Sequence, residues 1–294
     1  MMTEQGECRV VDVFDDRACG LGEGPLWHPD RQELFWVDIP NQKVMSSGVE
    51  GQREHRFDEM VSALALIDAD TLLLATETGL HSLAIADWTT ERLCDIEAGD
   101  PETRSNDGRA DPWGGFWIGT MSKSAEEGAG AVYRYYRGEL HVLVPSITIP
   151  NGICFDHGAK LAYFTDSAAK KTWRIALDDD GWPAAEPELF LDFTEDGTTI
   201  DGAIIDQQGH ILAAIFDGGA VFRISPDGKI VDRFETQTPR STCPAFGGKN
   251  YTDMFVTTAA IGLANVESDC IVHGTTLRFA GCVIGVAEPV FRTN

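Results

Sequence analysis

The chain has 294 residues, and its 23 basic residues against 47 acidic ones give a formal net charge of −24 at pH 7. Binding to nucleic acid requires clustered Lys and Arg that displace counterions from phosphates, and an anionic membrane surface would repel a chain of this charge. We therefore expect neither a nucleic-acid partner nor a membrane partner.

The N-terminal segment and the cysteines indicate where the protein works. The opening stretch MMTEQGECRVVDVFDD contains neither the basic region nor the apolar run of a cleaved secretion signal. No segment approaches the roughly 20 apolar residues that a membrane span requires. The 7 cysteines are scattered without CxxC spacing, which favours reduced thiols. We expect a cytoplasmic protein.

From residue 22 onward, one short phrase recurs, each time with an apolar stretch, a polar turn and a β-rich run. The copies read GEGPLWHPDRQELFWVD, ALALIDADTLLLATETG, NDGRADPWGGFWIGT, NGICFDHGAKLAYFTD, DGAIIDQQGHILAAIFD and CPAFGGKNYTDMFVTTA. The equivalent positions are Glu23, Leu64, Asn106, Asn151, Asp201 and Pro244. The intervals between them are 41, 42, 45, 50 and 43 residues, so the chain contains six units.

The apolar residues within each unit alternate with a period of two. Runs such as Phe35-Trp36-Val37 and Phe116-Trp117-Ile118 are rich in β-branched and aromatic residues and follow polar or glycine turns. Short strands repeated at a period in the forties are typical of β-propeller blades. Because a propeller closes only when all its blades are present, we predict an all-β, six-bladed β-propeller in which residues 1–294 form one domain.

The longest interval, 50 residues, contains the acidic stretch DDDGWPAAEPEL, which begins at Asp178. Its Asp, Gly and Pro residues are typical of a solvated loop. We interpret it as an extended loop between two blades.

Four of the six copies begin with a residue that can donate oxygen to a metal. These polar heads are Glu23, Asn106, Asn151 and Asp201. Asn or Asp before Gly is also ordinary turn chemistry. However, equivalent strands of a propeller point toward one central channel, so heads at the same phase should converge there. Two carboxylates and two amides suit one divalent cation, Ca²⁺ first, with Mg²⁺ or Mn²⁺ as alternatives. Zn²⁺ is also an alternative, although it prefers His or Cys, which this set lacks.

These phrases resemble the family of senescence marker protein (regucalcin), gluconolactonase and luciferin-regenerating enzyme, whose members are six-bladed propellers. The resemblance runs from GLGEGPLWHPDRQELFWVDIPNQKV through RSNDGRADPWGGFWIGTM and IPNGICFD to FGGKNYTDMFVT. It implies that Glu23, Asn151 and Asp201 bind a divalent metal. It also implies that Asn106 lies beside the metal, directly or through water, and that Arg104 contacts a sugar.

The chain departs from the family pattern in two places. Ile200 stands before Asp201-Gly202 where the family often has proline, which changes the stiffness of the backbone but keeps the ligand. After the GTM phrase, Lys123 lies where vertebrate members carry acidic residues that help to hold the sugar. This change suggests an anionic or acceptor-rich substrate; a solvated loop residue is the alternative interpretation of Lys123.

A cation with open coordination positions can polarise a lactone carbonyl beside a bound water. We therefore predict a metal-dependent sugar lactonase, acting on aldono- or aldarolactones, in which Asp201 either accepts a proton from the water or only orients it. Arg104 would grip hydroxyls or a carboxylate, or else pair with Asp107 or Asp111.

Two other functions remain open at this point. One is a non-enzymatic calcium-binding regulatory protein, and the other is a metal-dependent esterase acting on non-sugar esters. A propeller closes its own edges and has no intrinsic need for a partner chain, so we expect a monomer.

Overall fold

The computed structural model describes residues 11–263 and 272–293. Within these residues, 24 strands form six four-stranded antiparallel sheets, which confirms the predicted six-bladed β-propeller. No helix in the described part is long and apolar enough to cross a membrane. The cysteines Cys8 and Cys270 lie outside the described residues, and the five described cysteines are free thiols.

The first three blades follow one another along the chain. Blade 1 contains β2 (Gly22–His28), β3 (Glu33–Asp38), β4 (Lys43–Gly48) and β5 (Gly51–Arg56). Blade 2 contains β6 (Val61–Leu66), β7 (Thr71–Thr76), β8 (Gly79–Ala84) and β9 (Thr90–Asp95). Blade 3 contains β10 (Thr103–Ala110), β11 (Phe116–Ser122), β12 (Gly130–Tyr136) and β13 (Glu139–Ile147).

The last three blades complete the ring. Blade 4 contains β14 (Pro150–Asp156), β15 (Leu161–Asp166), β16 (Lys171–Ala176) and β17 (Glu188–Asp192). Blade 5 contains β18 (Thr199–Ile205), β19 (Ile211–Phe216), β20 (Ala220–Ile224) and β21 (Ile230–Glu235). Blade 6 contains β22 (Ser241–Gly247), β23 (Asp253–Thr258), β24 (Thr276–Phe279) and β1 (Val11–Asp15).

Blade 6 joins the two ends of the described chain. Its outermost strand is β1, which pairs antiparallel with β24 from Val11 opposite Phe279 to Asp15 opposite Thr276. The ring is therefore closed by backbone hydrogen bonds between the N-terminal strand and the last blade. This closure fixes the six innermost strands around a common channel.

The hydrophobic core lies between the blades. Six clusters of buried apolar residues occupy the six interfaces between neighbouring blades. The aromatic residues of the repeated phrase supply much of it, because Phe35, Trp36, Phe116 and Trp117 are fully buried. The regular spacing of the repeat along this chain thus produces one packed interface per blade.

The acidic stretch that begins at Asp178 does not connect two blades. It joins β16 to β17 within blade 4, and Leu177 pairs with Pro183 at its base. The prediction of an interblade loop was therefore wrong. The physical reason is that the extra residues lengthen an outer hairpin, where a solvated excursion disturbs neither the channel nor the interfaces between blades.

Residues 281–293 form a segment that we call the C-terminal strap, which crosses the end of the channel where the innermost strands finish. Its backbone hydrogen bonds reach four blades. The bonded pairs are Gly285 with Tyr251, Ile284 with Gln207, Phe291 with Leu66, and Arg292 with Gly114. Inside this end of the channel, Glu288 of the strap pairs with Arg109. A cavity of about 710 Å³ opens beside the strap and contains none of the four polar heads.

Candidate metal centre

The innermost strand of every blade carries a register shift in its first half. In the four blades with polar heads, the shifts fall at Glu23/Leu26, Ser105/Gly108, Asn151/Cys154 and Ile200/Ala203. A bulge of this kind bends the strand and redirects side chains. Glycine permits the bend, because Gly24 and Gly152, which follow two of the heads, have φ values of 52° and 59°.

The four heads are buried and face one another. Glu23, Asn106, Asn151 and Asp201 are each no more than 8% exposed. The side chains of Glu23 and Asp201 share a hydrogen bond, although they belong to different blades. Asn106 Nδ2 donates to Asn151 Oδ1 at 2.7 Å. The structure therefore brings together the residues that the sequence placed at one phase of four repeats.

A chain of hydrogen bonds orients the two amides. Arg104 Nη1 donates to Asn106 Oδ1 at 2.8 Å, and Asn106 in turn donates to Asn151. Asn151 Nδ2 donates to Ser167 Oγ at 2.9 Å, and Ser167 donates to the carbonyl of Ile200 at 2.6 Å. Since Ile200 precedes Asp201, this series of hydrogen bonds connects blades 3, 4 and 5 through the site. Each amide is held in one orientation by partners on both sides.

The two carboxyl groups lie in an acidic, poorly solvated environment. Burial, followed by the charges of Asp201 and Asp107, raises the pKa of Glu23 well above its usual range. Burial, followed by the charge of Asp107, likewise raises the pKa of Asp201, and the hydrogen bond from Glu23 partly offsets this rise. This environment disfavours the ionised form of both carboxyl groups, and a bound cation would favour it.

Asp107 also belongs to this environment, although the sequence raised it only as a possible partner of Arg104. It is buried, and its Oδ2 accepts a hydrogen bond from the backbone N–H of Ile153 at 2.8 Å. Burial raises its pKa. It follows the polar head Asn106 directly, so its place within the repeated phrase was the available signal.

The donor set fits a hard divalent cation. Glu23 and Asp201 offer carboxylate oxygens and Asn106 and Asn151 offer amide oxygens, which are the ligands preferred by Ca²⁺, Mg²⁺ and Mn²⁺. Within residues 11–263 and 272–293, no cluster of three or more His, Cys, Asp or Glu side chains has the geometry of a metal site. The candidate metal centre therefore rests on a mixed set of two carboxylates and two amides.

Arg104 supplies positive charge beside the carboxylates. Burial lowers its pKa, while the charges of Glu23, Asp201 and Glu77 act in the opposite direction. It does not pair with Asp107 or Asp111, the alternative raised from the sequence. Asp111 is instead paired with Arg134 at 2.7 Å, and Asp107 accepts the bond described above.

Lys123 lies at the rim of the same end of the channel. Its Nζ contacts the carboxylate of Glu77 and donates to the carbonyl of Pro101 at 2.6 Å. Glu77 was not singled out from the sequence, because the second repeat has no polar head. Glu77 directly follows the second strand of that repeat. Its closeness to Lys123 becomes apparent only when blades 2 and 3 are placed side by side.

Residues 21–260 match the SMP-30/Gluconolactonase/LRE-like region family. The chain belongs to this family. A pentonolactonase of Haloferax volcanii is 33% identical over 97% of each chain. A 6-deoxy-6-sulfogluconolactonase of Pseudomonas putida is 31% identical over 92% of this chain and 94% of its own length.

A solved structure shares the architecture of this SMP-30/gluconolactonase-like protein. It is a calcium-binding protein, regucalcin, from Agrobacterium tumefaciens, 34% identical and superposing with a TM-score of 0.92 over 95% of this chain and 96% of that one. The similarity therefore extends over the whole propeller, including the strands that carry the four heads.

Cys243 lies beside this SMP-30/gluconolactonase-like centre, since the charges of Glu23 and Asp201 act on its thiol. It occupies the bulged strand of blade 6, is 1% exposed, and would meet a Cβ placed on Gly202 at 2.4 Å. Burial, followed by the charge of Glu23, raises the pKa of its thiol well above the usual range. A protonated, enclosed thiol is a packing residue against Gly202 rather than a nucleophile.

The raised carboxyl pKa values predict the pH dependence of the metal-free protein. Because the folded state holds protons on Glu23 and Asp201 above pH 4, where the unfolded chain releases them, folding stability should fall as pH rises from about 4 through the raised pKa values. Thermal unfolding of metal-depleted protein between pH 5 and pH 8 measures this slope. We expect stability to depend less steeply on pH in Asp201→Asn than in the wild type. Equal slopes for the two proteins would contradict the raised pKa of Asp201.

Proposed function

We propose that this protein is a divalent-metal-dependent hydrolase that opens an aldono- or aldarolactone to the sugar acid. Relatives named as lactonases support a sugar lactone hydrolase. The single observation that carries the metal-dependent proposal is the convergence of two buried carboxyls and two oriented amides beside one arginine.

Glu23, Asn151 and Asp201 would hold the cation, and Asn106 would lie beside it or contact it. The chemistry that the cation supplies when bound is Lewis-acid polarisation of the lactone carbonyl and acidification of a nearby water. Ca²⁺ is our first choice because the ligands are hard oxygens and because the structural relative is described as calcium-binding.

Asp201 would act on the attacking water. Its carboxylate lies within the buried cluster, where it can orient the water and accept its proton as the ester bond breaks. Asn106 and Asn151, which the series of hydrogen bonds holds in one orientation, would help to align the lactone carbonyl with the attacking water. No covalent intermediate is required.

Arg104 would position the sugar. Nη1 is used by Asn106 and the carbonyl of Ser105, while Nε and Nη2 have no hydrogen-bond partner among the described residues. A guanidinium with two free donors can hold vicinal hydroxyls or the carboxylate formed on ring opening.

The proposal also concerns assembly and location. We propose a monomer that works in the cytoplasm. The ring of six blades closes on itself through the pairing of β1 with β24, and the described cysteines are free thiols.

A panel of substrates tests this function. Metal-loaded protein is assayed for acid release from aldonolactones, aldarolactones and simple non-sugar esters in a weakly buffered pH-indicator assay. We expect turnover of sugar lactones well above the spontaneous rate and little activity on esters. Preferential ester hydrolysis would favour the esterase alternative, and bound Ca²⁺ without any turnover would favour a calcium-binding regulatory protein.

A further inference from the structure

Glu77 comes from blade 2, which contributes no polar head, yet it reaches the same end of the channel. It follows β7 directly, and its backbone N–H donates to the carbonyl of Met60 at 2.8 Å. The preceding carbonyl, of Thr76, accepts a hydrogen bond from Ser105 Oγ at 2.6 Å. Ser105 is next to Arg104 in β10, so the residue directly before Glu77 is hydrogen-bonded to the strand that carries the arginine.

Lys123 approaches Glu77 from blade 3. Arg104 and Met121 are opposite one another in the pairing of β10 with β11, so Lys123 lies two residues beyond the arginine's partner. Its backbone N–H donates to the carbonyl of Glu102 at 2.8 Å. Both the backbone and the ammonium group of Lys123 are thus fixed to the segment that leads into Arg104.

The Glu77–Lys123 pair is partly shielded and asymmetric. The Glu77 side chain is 20% exposed and that of Lys123 is 30% exposed. The lysine uses the carboxylate and the carbonyl of Pro101, whereas Glu77 Oε2 has no hydrogen-bond partner among the described residues. The lysine therefore holds the carboxylate in place, and one acceptor oxygen stays available at the channel mouth.

This arrangement has a consequence for charge. The ammonium group is neutralised by Glu77, so it offers no free cation to an anionic substituent of a substrate. Arg104 donates and Glu77 accepts at the same mouth, and this combination matches hydroxyl groups, which both accept and donate. A second carboxylate on a substrate would instead meet Glu77 Oε2, the oxygen without a hydrogen-bond partner among the described residues, and be repelled by it.

We propose that Glu77 is a specificity-determining residue that accepts a hydrogen bond from a hydroxyl of the substrate and selects neutral polyhydroxylated lactones over lactones with a second carboxylate. Lys123 is then a positioning residue that acts through Glu77. This inference rests on the proposed lactonase function, and it differs from our expectation that Lys123 itself favours an anionic substrate.

The test compares two lactones that share a ring and differ at one carbon. Galactono-1,4-lactone carries a neutral hydroxymethyl group where galactaro-1,4-lactone carries a carboxylate. Glu77→Gln should lower kcat/KM for the neutral lactone about tenfold, mainly through KM, because a charge-assisted hydrogen bond weakens. It should raise kcat/KM for the anionic lactone about tenfold, because the repulsion disappears and Lys123 is released.

Lys123→Gln should act in the opposite direction on the anionic lactone. It leaves the Glu77 charge uncompensated, so both rates fall and the anionic lactone loses more. The matched controls are Glu54→Gln and Lys43→Gln, which break an exposed pair of 2.7 Å in blade 1. We expect unchanged ratios in the controls. A ratio of the two kcat/KM values that is also unchanged in Glu77→Gln would overturn the proposal.

Binding of unreactive analogues separates this inference from the proposed function. Calorimetry with metal-loaded protein measures the affinity of the neutral and carboxylated lactams, in which a ring nitrogen replaces the ring oxygen. We expect Glu77→Gln to weaken the neutral lactam and strengthen the carboxylated one. If the wild type hydrolyses no lactone, the proposed function fails, while these affinities still support the role of Glu77 if they shift and refute it if they do not.

Discussion

Replacing Asp201 with Asn is expected to remove both the bound cation and lactone hydrolysis. The substitution keeps the size of the side chain but takes away one of the two carboxylates in the candidate metal centre. Lewis-acid activation is worth several kcal/mol, and each 1.36 kcal/mol corresponds to a tenfold rate change. We therefore expect kcat/KM to fall by about 10³-fold, with metal content, measured by elemental analysis after dialysis, falling in parallel.

Folding must be separated from metal loss in this variant. The metal-free Asp201→Asn protein should be at least as stable as the metal-free wild type, because one of two buried, mutually destabilising acids has become neutral. Asp227→Asn is the matched control, since Asp227 lies in the outer hairpin of the same blade, between β20 and β21, and pairs with Lys229 at 2.6 Å. Wild-type turnover with full metal occupancy in Asp201→Asn would remove Asp201 from the mechanism.

The second large effect is expected from Arg104→Ala. Loss of the guanidinium removes two free donors and the bond to Asn106 Oδ1, so we expect kcat/KM to fall about 100-fold, mostly through KM, while the metal content stays near that of the wild type. Steady-state kinetics and elemental analysis on the same samples measure the two quantities.

Two further variants decide how Arg104 acts. Arg104→Lys keeps the charge but loses the planar fork, so little activity should return if bidentate recognition is what matters. Arg174→Ala removes an arginine that pairs with Glu188 at 3.2 Å on the outside of blade 4, and should be silent. Equal losses of metal and activity in Arg104→Ala would make Arg104 a scaffold for Asn106 and Asn151 instead of a substrate contact.

The architecture was predictable because each repeat encodes one local unit. The alternation around Phe35-Trp36-Val37 and the turns before it specify a four-stranded blade, and the six equivalent positions specify six blades. The closure by Val11–Asp15 was not predicted. That strand lies outside the repeated phrase, and its pairing with β24 is a contact between residues far apart in sequence, which local periodicity does not report.

The candidate site was predictable where it follows the repeat and not elsewhere. The bulges place Glu23, Asn151 and Asp201 at one phase, and the structure brings them together as the phase requires. Glu77 carries no such phase signal, because its blade has an apolar head and its partner Lys123 comes from the neighbouring blade. Pairs that form only between blades become visible when the ring is assembled.

The central claim is that one divalent cation, held by the polar heads, is required for lactone hydrolysis. The most direct test titrates Ca²⁺, and separately Mg²⁺, Mn²⁺ and Zn²⁺, into metal-depleted protein while bound metal and lactone-opening rate are measured on the same samples. We predict that the rate rises in proportion to bound metal and saturates at about one ion per chain. Full lactonase activity in the metal-depleted protein would contradict the account.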